Sequence, residues 1–162
     1  MKKIGLLSDT HATWDDRFEE YFQDCDEIWH AGDIGSLDLA EKFESIKPFR
    51  AVYGNIDDAK TRSAFPESLR FRFEGMEILM MHIGGYPGRY SPAALAAFKR
   101  KIPEIFICGH SHILKVIYDK KYGMLCVNPG AAGKQGFHKT RTLMRLTFDL
   151  GKITDAEIIE LK

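Results

Sequence analysis

The sequence predicts an α/β fold with a mixed sheet core and helices outside it. Three observations predict it. Short apolar runs ending in polar residues alternate with stretches of helical spacing through the first half of the chain. The second half is richer in strand patterns, which pair across tight turn signals. The 162 residues carry no repeat, low-complexity tract or linker, so a single domain over 1–162 with a substantial core is expected.

Taken in order, Ile4 to Ser8 reads as a buried strand. Trp14 to Phe22 places Trp14, Phe18, Tyr21 and Phe22 at helical spacing, and these aromatics are expected in the core. Glu27 to Ala31 is a second strand stopping at Gly32-Asp33. Ser36 is a natural N-cap for a helix whose Leu37, Ala40 and Phe43 share one face. Phe49 to Tyr53 is a third strand stopping at Gly54-Asn55, and a polar loop is expected from there to Pro66. Leu69 to Phe73 and Met76 to His82 flank the hairpin signal Glu74-Gly75. Ser91-Pro92 opens a helix, with Leu95, Phe98 and Ile102 expected to face the core. Ile105 to Cys108 is a strand stopping at Gly109-His110. Two further hairpins follow: Leu114–Asp119 with Met124–Asn128, and Thr142–Leu150 with Ile153–Leu161.

The totals narrow the function. Lys plus Arg number 23, as do Asp plus Glu, so the formal net charge is zero. That weighs against a broad nucleic-acid-binding surface, which needs an excess of cations. No apolar run approaches the roughly 20 residues that span a bilayer. The N-terminus starts basic, but its apolar stretch of about four residues ends by Asp9 and is too short for a signal peptide. A cytoplasmic protein is therefore expected. Cys25, Cys108 and Cys126 show no CxxC spacing and read as reduced, buried small hydrophobes.

The chemistry collects at strand ends. Asp9, Asp33, Asn55, His82 and His110 each fall at or just past the end of a predicted strand. In α/β sheets that edge forms the crevice where ligands bind, so residues distant in sequence can meet there. Asp9-Thr10-His11 and His110-Ser111-His112 are both i, i+2 pairs, which point to one side if the backbone is extended. Gly32, Gly54 and Gly109 directly precede candidate ligands. The donors are nitrogen and oxygen only, which suits Mn, Fe, Ni, Co or Zn and disfavours a thiolate site. Two metals about 3.5–4 Å apart need a bridging group such as Asp33, and would activate a shared water as nucleophile. Any one fragment taken alone has a bland reading, since Asp and Asn after a strand are common turn residues. The ordered set of five is what carries weight.

That order, Asp9-x-His11, Gly32-Asp33, Gly54-Asn55, His82, Gly109-His110-x-His112, resembles the calcineurin-like metallophosphoesterase superfamily. The short length and Asn128-Pro129-Gly130 look like its small bacterial and archaeal phosphodiesterase subfamily. The resemblance implies a four-layer α/β/β/α sandwich of two mixed β-sheets flanked by helices. It implies a phosphoesterase, a phosphodiesterase or phosphatase acting on a small or nucleotide-like phosphoester. Asp9, His11 and His112 would hold one divalent metal, Asn55, His82 and His110 a second, and Asp33 would bridge them. Manganese leads the expectation, with Ni, Fe, Co or Zn as alternatives. Asn55 would also touch substrate phosphate.

The sequence departs from the family pattern in three places. Ile56 stands where many relatives carry histidine after Gly-Asn. Asp57 follows, as in relatives that read Gly-Asn-x-Asp, and joins Asn55 as a catalytic candidate in a supporting part. Gly84 replaces the second histidine of a His-Gly-His pattern, and Ala131 replaces a serine. The first two put proton donation to the leaving group in question. Arg89 and Tyr90, in the loop after His82, are substrate-contact candidates. His30 reads as a packed residue or a support for a ligand. The loop Gly133 to Lys139, with Lys134, His138, Lys139 and nearby Arg141, reads equally as a cover over the site or as a solvated loop. Two rival functions remain: a nuclease, weakened by the balanced charge, and a non-catalytic protein-binding scaffold of the same fold, weakened by seven suitable ligand positions. A homo-oligomer is compatible with either.

Overall fold

Ten strands and four helices make up the computed structural model, which describes residues 1–162. In chain order these are β1 (Lys2–Leu7), α1 (Arg17–Phe22), β2 (Glu27–His30), α2 (Leu37–Ile46), β3 (Phe49–Ala51), α3 (Ala59–Ala64), β4 (Ser68–Phe73) and β5 (Met76–Met81). There follow α4 (Pro92–Arg100), β6 (Ile105–Ile107), β7 (Leu114–Asp119), β8 (Met124–Pro129), β9 (Arg141–Asp149) and β10 (Lys152–Leu161).

Two five-stranded mixed sheets result, ordered β10-β9-β1-β2-β3 and β4-β5-β6-β8-β7. In the first, β1, β2 and β3 run parallel, β9 runs antiparallel to β1, and β10 antiparallel to β9. In the second, β5, β6 and β8 run parallel while β4 and β7 form antiparallel edges. The period-2 alternation of each strand divides its side chains between two layers. Ile4, Leu6, Trp29 and Met144 face Ile78, Met80, Ile105 and Val127 in the layer between the sheets. The Trp29 ring meets Phe71 and Phe73 edge-on, with centroids 4.9 and 5.1 Å away. Leu7, Ile28 and Leu143 point outward and are covered by Phe18 and Phe22 of α1 and Phe43 of α2. On the far side Leu79, Phe106 and Met124 are covered by Ala94 and Phe98 of α4. The layers are therefore α/β/β/α, as expected.

Three local expectations need correction. The first helix is only Arg17–Phe22, because Trp14 lies ahead of it, its indole N–H donating to Asp16 Oδ1 at 3.0 Å and its ring packed on Phe18 and Phe43. The segment before Pro66 is not all loop: it holds α3, started by Asp58, whose carboxylate accepts the Thr61 N–H at 2.9 Å. In α4 the buried face is Ala94 and Phe98, while Leu95 and Ile102 are exposed. Ser91 sets the helix start, so Ala94 and Phe98 fall at i, i+4 while Leu95 is turned about 100° away. The helix ends at Arg100, before Ile102.

Cys25, Cys108 and Cys126 are buried free thiols. No helix is long and apolar enough to cross a membrane. The parallel strands of both sheets end at one edge, where the loops after β1, β2, β3, β5 and β6 meet. The His110 N–H donates to Asp9 Oδ2 at 3.1 Å across this junction, from the second sheet to the first.

Candidate metal centre

The loop after β1 supplies Asp9 and His11, the loop after β2 Asp33, and the loop after β3 Asn55. The loop after β5 supplies His82, and the loop after β6 His110 and His112. Their side chains converge in two groups, Asp9 with His11 and His112, and Asp33 with His82 and His110. Within each group one donor atom per residue lies within 4.8 Å of the others. Asp9 Oδ1 is 3.2 Å from His112 Nε2 and 3.6 Å from His82 Nε2. Asp33 Oδ2 is 3.2 Å from His82 Nε2 and 3.5 Å from His11 Nε2, so this one oxygen faces both groups. Asn55 is exposed at the rim, with its amide oxygen 3.0 Å from Nδ1 of His110.

The donor atoms fit a cation. Asp9 Oδ1, His11 Nε2 and His82 Nε2 are buried and have no hydrogen-bond partner. Orphaned buried polar atoms are costly and rare, and three side by side within two adjoining ligand groups call for partners that protein atoms do not supply. Donors held about 2.0–2.2 Å from one ion stand about 2.8–3.6 Å from each other at octahedral to tetrahedral angles. All four separations given above, 3.2, 3.6, 3.2 and 3.5 Å, fall in that range.

The backbone reaches this arrangement under strain. Asp9, His11, Asp33, His110 and His112 all have left-handed backbone, with φ between 46° and 72°. Such positions cost of order 1–3 kcal/mol each and cluster at functional sites. The i, i+2 pairs therefore converge, but not through extended backbone. The Asp9 and His11 N–H groups donate to Gly32 O and Asp33 O, each at 3.0 Å, which hooks the loop after β1 onto the loop after β2. At Gly54 any Cβ would overlap the Asp33 carboxylate, and at Gly109 it would overlap the Ser8 hydroxyl and crowd Asp9 Oδ2. Glycine precedes these ligands because the partner side chain occupies the space.

Each candidate ligand is aimed by a bond to its other atom. His82 donates Nδ1–H to Ala31 O at 2.7 Å, which leaves Nε2 bare toward the site. Asp9 Oδ2 accepts from the Ser8 hydroxyl at 2.7 Å and from His110 N–H, which leaves Oδ1 for the site. Asp33 Oδ1 accepts the Ile56 N–H at 3.0 Å, which leaves Oδ2. Burial pushes the Asp33 carboxyl up, but the neighbouring His82 imidazole and the Ile56 amide together hold it below the usual range. Burial pushes the His82 imidazole down, yet Asp33 and Asp9 raise it above its ordinary value. The same field that favours a proton there favours a metal cation.

Other candidates fall into place. Asp57 is buried and turns away from the cluster: its carboxylate accepts N–H groups of Ile34, Gly35 and Gly54 at 3.2, 2.9 and 2.8 Å. Asp57 thereby ties the loop carrying Asp33 to the loop carrying Asn55. His30 is fully buried against Phe43 and Phe49. Its Nδ1 accepts the Gly32 N–H at 3.1 Å and its Nε2–H donates to Thr10 Oγ1 at 3.0 Å. Burial, with the nearby His82, pushes its pKa down to about 3, so the ring is a neutral brace between two ligand loops. Tyr90 is not a substrate contact: its hydroxyl donates to Asp119 Oδ2 at 2.5 Å and its ring packs on Phe98, Phe106 and Tyr122. Arg89 is exposed and lines a cleft of about 250 Å³ shared with Lys115, Tyr86 and His110. Gly84 has a physical reason, because any side chain there would run into the Phe106 ring. Arg141 is engaged away from the site, 3.2 Å from Asp15, while Lys134 and Lys139 are exposed. The sequence did not single out the partner of His112. The His138 ring lies against it, with the two Nδ1 atoms 3.1 Å apart.

The family model of the calcineurin-like phosphoesterase superfamily domain matches residues 1–151. A probable metallophosphoesterase of Methanothermobacter thermautotrophicus is 31% identical over 96% of this chain and 91% of its own. Among solved structures, a zinc complex of Vps29 from Entamoeba histolytica superposes with a TM-score of 0.74 at 16% identity, over 98% of both chains. A Thermotoga maritima protein solved in solution superposes with a TM-score of 0.73 at 24% identity, over 99% of this chain and 100% of that one. At such identities the two structures speak for the fold alone. The family model and the archaeal relative speak for descent, and by them this chain belongs to the calcineurin-like phosphoesterase superfamily.

Proposed function

We propose that this chain is a metal-dependent phosphoesterase that hydrolyses small or nucleotide-like phosphoesters at a dinuclear centre. Asp9, His11 and His112 would hold one divalent ion, and Asn55, His82 and His110 the other, with Asp33 Oδ2 between them. The observation that carries this reading is that Asp9 Oδ1, His11 Nε2 and His82 Nε2, buried and unpaired, fall within two adjoining groups of ligand-type side chains. Bound divalent ions supply Lewis acidity toward phosphoryl oxygens and an activated water at neutral pH. The chain's own residues orient the parts. Ser8, Ile56 and Ala31 aim Asp9, Asp33 and His82, Asp57 locks two ligand loops together, and Asn55 stands at the rim where a phosphate oxygen would approach. Arg89 and Lys115, in the cleft that begins at His110, would meet a further anionic group of the substrate.

The test is metal analysis with a substrate screen. Purified chain loaded with Mn²⁺ should hold two ions and hydrolyse p-nitrophenyl phosphoesters, and Asp33→Ala should remove both properties. A chain that never holds metal, or whose activity ignores Asp33→Ala, would sink the reading. A second reading is a protein-binding surface at the same edge. It draws on Ile56, Ile83, Ile113 and Phe137, exposed apolar residues that ring the cluster. Failure of the metal test would favour it.

A further inference from the structure

The loop between β8 and β9 is built onto the candidate metal centre. The Gly133 N–H donates to Asp9 O at 3.1 Å, which anchors the loop start beside a ligand. Five residues on, the His138 ring stands edge-on to His112, centroids 5.0 Å apart, and both rings line a cleft of about 470 Å³ with His11 and His110. His138 Nε2 lies 2.8 Å from Gly133 O, and its Nδ1 lies 3.1 Å from Nδ1 of His112.

These contacts fix every proton in the chain of bonds. A carbonyl oxygen only accepts, so His138 Nε2 carries the hydrogen that Gly133 O receives. A neutral His138 then offers Nδ1 as an acceptor. The hydrogen between the two rings must therefore sit on His112 Nδ1, which leaves His112 Nε2 bare, 3.2 Å from Asp9 Oδ1. The result is a directed relay of two rings with its free lone pair at the cluster. Resting on the metal-centre reading above, we propose that His138 is a positioning residue: it accepts the Nδ1–H of His112 and so holds the His112 Nε2 lone pair toward the ion shared with Asp9 and His11. The partner of a metal-binding imidazole fixes both its tautomer and its ring angle, and removing such partners costs about 10–100-fold in metal affinity.

The experiment measures metal binding, not turnover. Mn²⁺ is competed against a chelator of known affinity, with bound metal counted by elemental analysis, for wild type, His138→Leu and His138→Asn. His138→Leu should keep one ion at wild-type affinity and weaken the other by about 10–100-fold. His138→Asn keeps an acceptor oxygen near the old Nδ1 and should recover most of that loss. Ring-nitrogen NMR of metal-free protein should show His112 protonated at Nδ1 in wild type and mixed between nitrogens in His138→Leu. Thermal melts of the three should coincide closely, since the loop is at the surface. If wild type binds two ions and His138→Leu binds them unchanged, or if His138→Asn recovers nothing, this inference is overturned while the metal centre stands. If wild type binds no Mn²⁺, it is the metal-centre reading that falls.

Discussion

The backbone N–H of Ile56 donates to Asp33 Oδ1 at 3.0 Å, so the residue that replaces a familiar histidine still does a job through its main chain. The side chain is free of that job and is 46% exposed beside Asn55. Substitution at 56 should therefore leave the Asp33 carboxylate where it is. Wild type, lacking an imidazole there, should hydrolyse p-nitrophenyl esters well ahead of alkyl phosphoesters, because poor leaving groups depend on proton donation. Ile56→His should raise kcat/KM on alkyl esters relative to p-nitrophenyl esters, by up to about 10²–10⁴-fold. Equal wild-type rates on the two ester classes would count against this account.

Metal removal should be visible in stability. Without cations, Asp9 Oδ1, His11 Nε2 and His82 Nε2 stay buried and unpaired, and five left-handed residues hold the ligand loops in place. An ion that binds only the folded state, at about 100 times its Kd, adds about 2.7 kcal/mol. At about 2–4 °C per kcal/mol for a chain of this size, Tm should rise by about 5–10 °C for one site. Adding EDTA should reverse the rise. Asp33→Asn should lose most of it, because the oxygen facing both groups no longer carries charge. A melting curve indifferent to both metal and chelator would contradict the prediction.

How much of this could be read from the sequence varies with the kind of signal. The strand ends were plain because each is an apolar run cut off by polar residues, with Gly-Asp, Gly-Asn or Gly-His at three of the five, and the site hangs on those ends. The helix α3 was hidden because Ala-Lys-Thr-Arg-Ser-Ala has no apolar stripe; only the Asp58 cap betrays it. Leu95 looked like core because it is large, but Ser91 sets the phase of the helix and buries Ala94 instead. The convergence of Asp9 with His11 was anticipated for the wrong reason, since strained backbone rather than strand geometry turns them together. His138 could not be paired with His112 from sequence, because they lie in irregular loops 26 residues apart with no periodic pattern to relate them.

Gly54→Ala isolates the close approach at the centre. A methyl group at 54 would overlap both the Asp33 carboxylate and the Asp33 backbone nitrogen. Overpacking of this kind costs about 1–3 kcal/mol. The carboxylate is also the part most able to move, so metal binding should suffer more than stability. Mn²⁺ stoichiometry measured beside Tm separates the two effects. The expected result is a folded protein with Tm modestly lowered and metal binding largely lost.

His30 predicts a pH dependence. Its folded pKa is pushed down to about 3, chiefly by burial, against an ordinary imidazole value near 6.5. Below about pH 6.5 the unfolded chain takes up a proton that the folded chain refuses, so stability falls as pH drops through the window from about 6.5 to about 3. The contribution of one such group is up to about 1.4 kcal/mol per pH unit. His30→Leu removes that slope, but leaves the Gly32 N–H and the Thr10 hydroxyl short of a partner, at a cost of about 1–3 kcal/mol for each buried group left unpaired. Denaturant unfolding of both proteins from pH 4 to 8 reads the two effects together. His30→Leu should be the less stable at pH 8, and the gap should narrow steadily toward pH 4. A gap that stays constant across that range would mean that His30 is protonated in the folded protein, and the neutral brace between Thr10 and Gly32 would have to be abandoned.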